Sequence, residues 1–452
     1  MSAGRYKDGV FKAYDIRGIY PEEIDERFAF DFGRAFTSYL RCSEVVIGRD
    51  NRLSGEDLSR ALAEGITASG ADVVDCGLCS TDTLYFAAAD AGYKGGIMVT
   101  ASHNPPEYNG FKLVREKAVP IGGESGLTEI KTIMQGSELP VPSVRGEVVT
   151  KDVLPDFVSF CRSFVEVDTI SGLKVVMDTA NAMGGMIAPK MFANMDIDIV
   201  PLYFEMDGTF PNHPANPFLE ENRLELMERV VKEKADLGIA WDGDTDRCFF
   251  IDENGVFVNS DFIIGMLVSR LLARTPGATI LYDLRASKYV PKTIELHGGI
   301  AQMCRVGHAF IKNSMREIKA VFAGEVSGHY YYYDPVRDFY ADNGWIPALQ
   351  VLELLSRERK TFSELLAVRK QYHLSGELNV KVTAKDEKIK TLSERFSDAD
   401  RIYYLDGISV EYPDWWFNVR ASNTEPLLRL NIEADSPGKV ADKQDLIMEI
   451  IR

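Results

Sequence analysis

Residues 45–77 read VVIGRDNRLSGEDLSRALAEGITASGADVVDCG, and the fold class follows from this stretch. A short apolar run at 45–50 ends in polar residues, a helical pattern occupies 58–70, and a second apolar run follows at 71–77. Similar runs lie at 95–102, 173–181, 197–203, 235–244, 278–284 and 320–328, and helical patterns at 261–274 and 346–357. Continuous apolar strands that alternate with helices indicate parallel or mixed sheets covered on both faces. The sequence therefore predicts an α/β fold.

The chain is long enough for several domains. Its 452 residues exceed the size at which one hydrophobic core usually stops growing. Turn-rich or charged segments near 150, 255 and 370 mark candidate boundaries. The predicted domains are three α/β segments at 1–149, 150–255 and 256–369 and a smaller C-terminal segment at 370–452. The first three are interpreted as variants of one unit, although no strict sequence repeat relates them.

Composition and charge exclude several classes of partner. The formal net charge of -17 argues against nucleic acid or an anionic membrane, so an anionic substrate would need a local pocket of basic groups and backbone amides. No segment has the roughly 20 apolar residues of a membrane helix, and the N-terminus lacks the apolar run of a signal peptide. Six cysteines favour a reducing cytoplasm, with Cys76 and Cys79 as two packed thiols.

A serine lies directly after one predicted strand, in MVTASHNPPEYNGFKL, residues 98–113. The apolar run stops at Thr-Ala-Ser-His-Asn-Pro, so Ser102 stands between a small residue and an imidazole. From this stretch alone, Ser102 is either a turn residue or a nucleophile. The carboxyl ends of strands in such sheets are where ligand groups cluster.

Three aspartates follow another predicted strand, in LGIAWDGDTDRCFFIDENG, residues 237–255. Asp242, Asp244 and Asp246 alternate, and oxygen ligands of this kind suit Mg²⁺ or Ca²⁺. An EF-hand loop is disfavoured because Arg247 stands where that loop turns on glycine. A dehalogenase-type enzyme with Asp242 as phosphate carrier, and a solvated acidic loop, remain as alternatives.

Two further stretches carry polar groups at strand ends. In GEVSGH, Glu325, Ser327 and His329 alternate, and an extended segment would place all three on one side, where they could bind sugar hydroxyls and move a proton. In RASNTEP, a phosphate could be bound by Arg420 with the short side chains and amides of Ser422, Asn423 and Thr424. A polar hairpin turn is the alternative for the second stretch.

Together, TASHNP, DGDTDR, GEVSGH and RASNTEP, in this order, resemble the α-D-phosphohexomutases, the phosphoglucomutase and phosphomannomutase superfamily. Further matches are KAYDIRG, GRDNRLSG, NGFK, DGTFPNH, YDLRAS and VGHAFIK, spread over nearly the whole chain. The resemblance implies three related α/β domains with mixed sheets and a smaller, flexible α+β C-terminal domain around a central cleft.

The resemblance also implies roles for single residues. Ser102 would carry a phosphoryl group, with Mg²⁺ held by a phosphate oxygen on Ser102 and by the three aspartates. Arg17 and Lys112 would lie beside the phosphoserine, with Lys112 as a proton shuttle. His103 would orient or help deprotonate Ser102. The remaining positions implied are the acid or base His329 and the substrate contacts Arg247, Arg285, His308, Glu325, Ser327, Arg420, Ser422, Asn423 and Thr424. Arg285 stands where many relatives have lysine, so it is expected to bind rather than to donate a proton.

The implied reaction moves phosphate between O1 and O6 of a hexose through a hexose 1,6-bisphosphate. GEVSGH looks most like the GEMSGH of dual phosphomannomutase/phosphoglucomutases, so mannose and glucose phosphates are the expected substrates. Phosphoglucosamine mutase is the alternative within the superfamily. A sugar-phosphate-binding relative without catalysis is the alternative outside the enzymes.

Overall fold

The computed structural model describes residues 6–136, 142–382, 384–421 and 427–452. These residues form two compact units. One consists of the described residues up to Asn259 together with Ser327–Phe362, and the other of Ser260–Val326 together with Ser363–Arg452. No helix in the described ranges is long and apolar enough to cross a membrane.

The N-terminal part is a mixed sheet flanked by helices. Its strands are β1 Ile16–Ile19, β2 Glu44–Arg49, β3 Asp72–Leu78, β4 Gly95–Val99, β5 Tyr108–Arg115, β6 Val119–Pro120 and β7 Val148–Thr150. Its helices are α1 Glu26–Leu40, α2 Gly55–Ala68, α3 Thr81–Asp90 and α4 Thr128–Gln135. The stretch 45–77 forms β2, α2 and β3, and the two strands pair in parallel as predicted. Helix α2 buries Leu58, Leu62 and Ile66, which are spaced by four residues and so lie on one face.

The next part repeats this architecture. Its strands are β8 Ser171–Asp178, β9 Asp196–Leu202, β10 Leu237–Trp241, β11 Cys248–Asp252 and β12 Phe257–Val258. Its helices are α5 Leu154–Arg162, α6 Gly184–Met191 and α7 Leu224–Glu233. Strand β10 is buried along its whole length and is parallel to β8 but antiparallel to β11.

The third part is divided between the two units. The second unit holds α8 Ser260–Arg274, β13 Thr279–Asp283, α9 Tyr289–Leu296, β14 Ile300–Cys304, α10 His308–Ile318 and β15 Phe322–Gly324. The first unit holds the antiparallel hairpin β16 Tyr330–Asp334 and β17 Phe339–Asp342, followed by α11 Trp345–Glu358.

The C-terminal part is an antiparallel sheet with helices, which confirms the predicted α+β character. Its elements are α12 Phe362–Leu365, β18 His373–Leu374, β19 Leu378–Lys381, α13 Lys385–Arg395, β20 Arg401–Tyr403, β21 Ile408–Glu411, β22 Trp415–Ala421, β23 Leu427–Ala434 and α14 Pro437–Ile451. The sheet order is β18-β23-β22-β21-β20, and β19 also pairs with β23.

The three α/β parts share one strand order. Three parallel strands run β3-β2-β4 in the first, β9-β8-β10 in the second and β14-β13-β15 in the third. In each part, the first of the three strands in the chain is the central one, with the second strand on one side of it and the third on the other. The carboxyl ends of the first and third strands are therefore adjacent. Ligands of open α/β sheets bind at such a switch point. The predicted α/β class is confirmed, whereas the domain boundaries at 150, 256 and 370 stay predictions.

Candidate active site

Ser102 lies on the turn that follows β4. The residue is 1% exposed and has φ +52, a left-handed conformation that a non-glycine residue adopts only when its surroundings hold it there. Its amide donates a hydrogen bond to Thr100 Oγ1 at 2.8 Å. Its hydroxyl donates to Asp242 Oδ2 at 3.1 Å and lies 3.2 Å from His103 Nδ1. The turn therefore directs the hydroxyl at the aspartate loop.

The three aspartates follow β10 and converge. Each is at most 1% exposed, and one carboxylate oxygen from each lies within 4.8 Å of those of the other two. The loop turns at Thr245, which has φ +57. A Cβ at Gly243 would lie 2.4 Å from the carbonyl oxygen of Ser102, so only glycine allows the two loops to approach this closely. The structure thus brings together the serine and the aspartates that the sequence placed 140 residues apart.

The carboxylates suit a hard cation. Among the residues that the structure describes, no hydrogen-bond donor reaches Asp244 Oδ1 or Asp246 Oδ1, although both oxygens are buried. Burial and the neighbouring charges of Asp246 and Asp244 raise the pKa of Asp242 to about 8. A divalent ion would supply ligands for these oxygens and remove the repulsion between the carboxylates.

Lys112 lies against the same carboxylates. Its Nζ is 2.6 Å from Asp244 Oδ2 and 2.5 Å from Asp246 Oδ2, and its side chain is 4% exposed. Burial alone would lower the pKa of Lys112, but the two carboxylates raise it well above its usual value. Lys112 is therefore an ammonium ion in this arrangement, and the two carboxylates that hold its proton make it a weak acid.

His329 and Arg247 complete this side of the site. His329 Nδ1 is 3.0 Å from Asp342 Oδ1, and Arg247 Nε donates to His329 Nε2 at 3.0 Å. Burial acts to lower the pKa of His329, but Asp342 and Asp246 raise it above its usual value. Arg247 also lies 3.6 Å from Asp242 Oδ2. Sequence reasoning missed Asp342, because nothing at the end of β17 indicates that its carboxylate faces the histidine.

Arg17 and His103 flank the serine turn. Arg17 donates to Asp15 Oδ2 at 2.8 Å and to Asn104 Oδ1 at 2.6 Å. Burial and the charges of Arg247 and Arg17 lower the pKa of the partly buried His103 well below its usual value. His103 is thus a neutral imidazole beside the hydroxyl of Ser102, and its low pKa makes it a weak base.

The second unit contains a cluster of arginines and carboxylates, the arginine cluster, made of Arg285, Arg420, Arg429, Asp283, Glu325 and Glu377. Arg285 donates to Asp283, Glu325 Oε1 and Glu377 Oε2 at 3.0 to 3.3 Å. Arg420 and Arg429 donate to the two oxygens of Glu377 at 2.9 and 2.8 Å. In the described part of the chain, the buried Nε–H groups of Arg420 and Arg429 have no acceptor. These groups are available to an anion such as phosphate.

Glu377 was not singled out from the sequence. It lies 92 residues after Arg285 and 43 before Arg420, in no recognised motif. Its side chain is 5% exposed. Burial acts to raise the pKa of Glu377, but the three arginines lower it to about 2.

Glu377→Gln is expected to lower the free energy of unfolding at neutral pH by about 3 kcal/mol. The pKa of Glu377 falls from 4.5 to about 2 on folding. The stabilisation is therefore complete above pH 4.5 and is lost as the pH falls toward 2. Urea denaturation of the full chain between pH 7 and 3 should show the difference from wild type shrinking, with the exposed Glu394→Gln as control. A difference that stays constant with pH would contradict this reading.

The sequence correctly placed side chains at strand ends but misjudged one segment. Glu325, Ser327 and His329 do not alternate along an extended segment, because Val326 and Ser327 form a turn and Gly328 has φ +87. Glu325 joins the arginine cluster, whereas His329 lies beside Asp246. His308 begins α10. Ser422, Asn423 and Thr424 lie outside the described residues.

The thiols are packed, as expected. All six cysteines are free, and Cys79 is 3% exposed. Burial raises the pKa of Cys76 to about 12. Neither thiol is ionised near neutral pH.

Four family models match the chain. They describe phosphoglucomutase/phosphomannomutase, alpha/beta/alpha domains I, II and III and C-terminal domain, and they match residues 8–140, 155–255, 259–372 and 377–450.

Curated relatives and solved structures match over almost the full length. A phosphomannomutase of Escherichia coli is 40% identical over 434 residues, which is 94% of each chain. A protein described as phosphohexose mutases, from Xanthomonas campestris pathovar campestris, is 40% identical over 427 residues and 94% of each chain. The crystal structure of a phosphoglucomutase/phosphomannomutase family protein from Burkholderia thailandensis has a TM-score of 0.89 and 33% identity, covering 98% of this chain and 97% of that one.

Proposed function

This chain belongs to the phosphoglucomutase/phosphomannomutase family, and on that premise we propose that it interconverts the 1-phosphates and 6-phosphates of mannose and glucose through a phosphoserine at Ser102. One observation carries the proposal. The hydroxyl of the only serine in the TASHNP turn donates to an aspartate of a buried three-aspartate loop. A nucleophile beside a cation site is what phosphoryl transfer requires.

Asp242, Asp244 and Asp246, with a phosphate oxygen on Ser102, would hold Mg²⁺. When bound, the ion would neutralise charge on the oxygens of the transferring group. All-oxygen ligands favour Mg²⁺ over softer metals. One buried oxygen each of Asp244 and Asp246 has no hydrogen-bond donor among the described residues, which supports this assignment.

Phosphoryl transfer breaks the bond between Ser102 Oγ and phosphorus and forms one to a sugar hydroxyl oxygen. The sugar hydroxyl loses a proton and Ser102 Oγ gains one. His329, held by Asp342 through Nδ1, would accept the first proton at Nε2 once Arg247 leaves this nitrogen for the substrate oxygens. Lys112, an ammonium ion beside the aspartate loop, would supply the proton that Ser102 Oγ gains. Arg17 and His103 would orient the serine turn, and Arg247 would bind substrate oxygens.

The arginine cluster would bind the rest of the substrate. Arg420, with Ser422, Asn423 and Thr424, would bind the phosphate that is not being transferred. The Nε–H of Arg420 has no acceptor among the residues that the structure describes, which supports this. Glu325 and Ser327 would bind sugar hydroxyls, with Arg285 and His308 as further contacts. The hexose 1,6-bisphosphate formed would turn over and return its other phosphate to Ser102. The six free cysteines favour a reducing compartment, the cytoplasm.

Mannose 1-phosphate and glucose 1-phosphate are expected to turn over with kcat/KM values within about tenfold of each other. Glucosamine 1-phosphate should be slower, because an ammonium group cannot accept a hydrogen bond from Arg285, whereas a hydroxyl in its place could. Coupled assays with Mg²⁺ and a hexose bisphosphate activator test this prediction. Dominant turnover of the amino sugar would overturn the substrate assignment and leave the mutase assignment standing.

A further inference from the structure

The motif GRDNRLSG has no role in the proposed reaction, yet it contributes the most enclosed arginine beside Ser102. Arg52 follows β2, the strand that pairs with β4 and ends at the same sheet edge. Its side chain is 0% exposed. A fully buried guanidinium costs desolvation unless every donor is satisfied.

All five N–H groups of Arg52 are used, and four bind the serine turn. Nε donates to Asp50 Oδ2 at 3.2 Å. The two terminal nitrogens donate to the carbonyl oxygens of Ser102 at 2.8 Å, Asn104 at 2.7 Å, Pro105 at 2.6 Å and Tyr108 at 2.8 Å. One side chain thus fixes the backbone of the turn from Ser102 itself to the start of β5.

Asp50 fixes the same turn from its other side. Its Oδ2 accepts a hydrogen bond from Thr100 Oγ1 at 2.6 Å, and Thr100 Oγ1 accepts one from the amide of Ser102 at 2.8 Å. Arg52 therefore holds the carbonyl of Ser102 directly, and Asp50 holds its amide through Thr100. This arrangement accounts for the left-handed backbone of Ser102.

We propose that Arg52, which forms an ion pair with Asp50, is a positioning residue for phosphoryl transfer. It holds the backbone of Ser102 so that the hydroxyl oxygen of Ser102 faces the aspartate loop. The inference rests on the proposed role of Ser102. Arginine is required because its planar guanidinium has five N–H donors, one for each of the four carbonyl oxygens and the carboxylate. The ammonium of a lysine has only three donors and cannot bind all five acceptors at once. Since Arg52 contacts only the protein, its loss should change kcat and leave substrate binding nearly intact.

Arg52→Lys tests this inference, with Arg223→Lys as the matched control. Arg223 is also buried, donates to the carbonyls of Pro217 and Phe218, and packs on Phe257. We expect Arg52→Lys to lower kcat about 100-fold, since a displacement near 1 Å of a reacting group has such an effect. KM should stay within about threefold. The rate of phosphoryl transfer from the isolated phosphoenzyme to glucose 1-phosphate should fall by the same factor as kcat. The ³¹P resonance of the phosphoserine should shift.

The control should lower thermal stability without changing kcat or the ³¹P resonance. A wild-type kcat and resonance in folded Arg52→Lys would overturn the inference. If that variant does not fold, Asp50→Asn is measured in the same way; a lower kcat supports the inference, and wild-type values overturn it. An active Ser102→Ala enzyme would instead refute the proposed function, so the two failures are distinguishable.

Discussion

Ser102→Ala is expected to lower kcat by at least about 10⁴-fold, because it removes the atom that carries the phosphoryl group. Thr81 also brings a hydroxyl to the aspartate loop, but that hydroxyl donates to Asp244, whereas the hydroxyl of Ser102 donates to Asp242. Substrate binding should persist, because the arginine cluster is unaffected. Steady-state turnover of glucose 1-phosphate and calorimetric binding of the same sugar measure the two quantities.

Ser59→Ala serves as the control, since Ser59 is 5% exposed on α2 and has no part in the site. It should keep wild-type turnover. Retention of more than about 1% of activity by Ser102→Ala would contradict a covalent role for the serine.

Exhaustive chelation is expected to lower turnover by about 10³-fold, with full recovery on adding Mg²⁺. The physical reason is that the transferring phosphoryl oxygens would lose the cation that neutralises them. Asp246→Asn should also weaken metal affinity measured by calorimetry, because it removes one of three buried carboxylate ligands. That binding measurement is independent of turnover.

Asp252→Asn is the control for the metal prediction. Asp252 is also buried, but its carboxylate accepts hydrogen bonds from the amides of Asn254 and Val256 in a turn after β11. It should leave metal affinity unchanged. Full activity after chelation, or wild-type metal affinity in Asp246→Asn, would contradict the metal assignment.

Local pattern predicted which residues end strands but not which of them meet. Ser102 and Asp242 each follow an apolar run, so their place at a sheet edge is readable from the sequence. Their contact depends on two loops from different sheets, with Gly243 against the Ser102 carbonyl, and no local pattern encodes that approach. The expectation that Ser102 and the aspartates lie together came from the resemblance to a known family.

Residues that act through other residues were the ones missed. Arg52 lies in the matched stretch GRDNRLSG and Glu377 in no recognised motif, and the importance of both appears only when their partners are located. The shared strand order of the three α/β parts was also not detectable as a sequence repeat. The order of the strands is the same in the three sheets, whereas the side chains that form them differ. The error at Ser327 has a local cause, since one glycine with positive φ ends the alternation that the spacing predicted.

The central claim is that Ser102 carries the phosphoryl group and the aspartates hold a metal. Its most direct test is peptide mass spectrometry of the enzyme after incubation with glucose 1,6-bisphosphate and Mg²⁺ and an acid quench. We expect one phosphoryl group on the peptide that contains Ser102 and none on the peptide that contains Asp242. A phosphoryl group on Asp242, or none on Ser102, would contradict it.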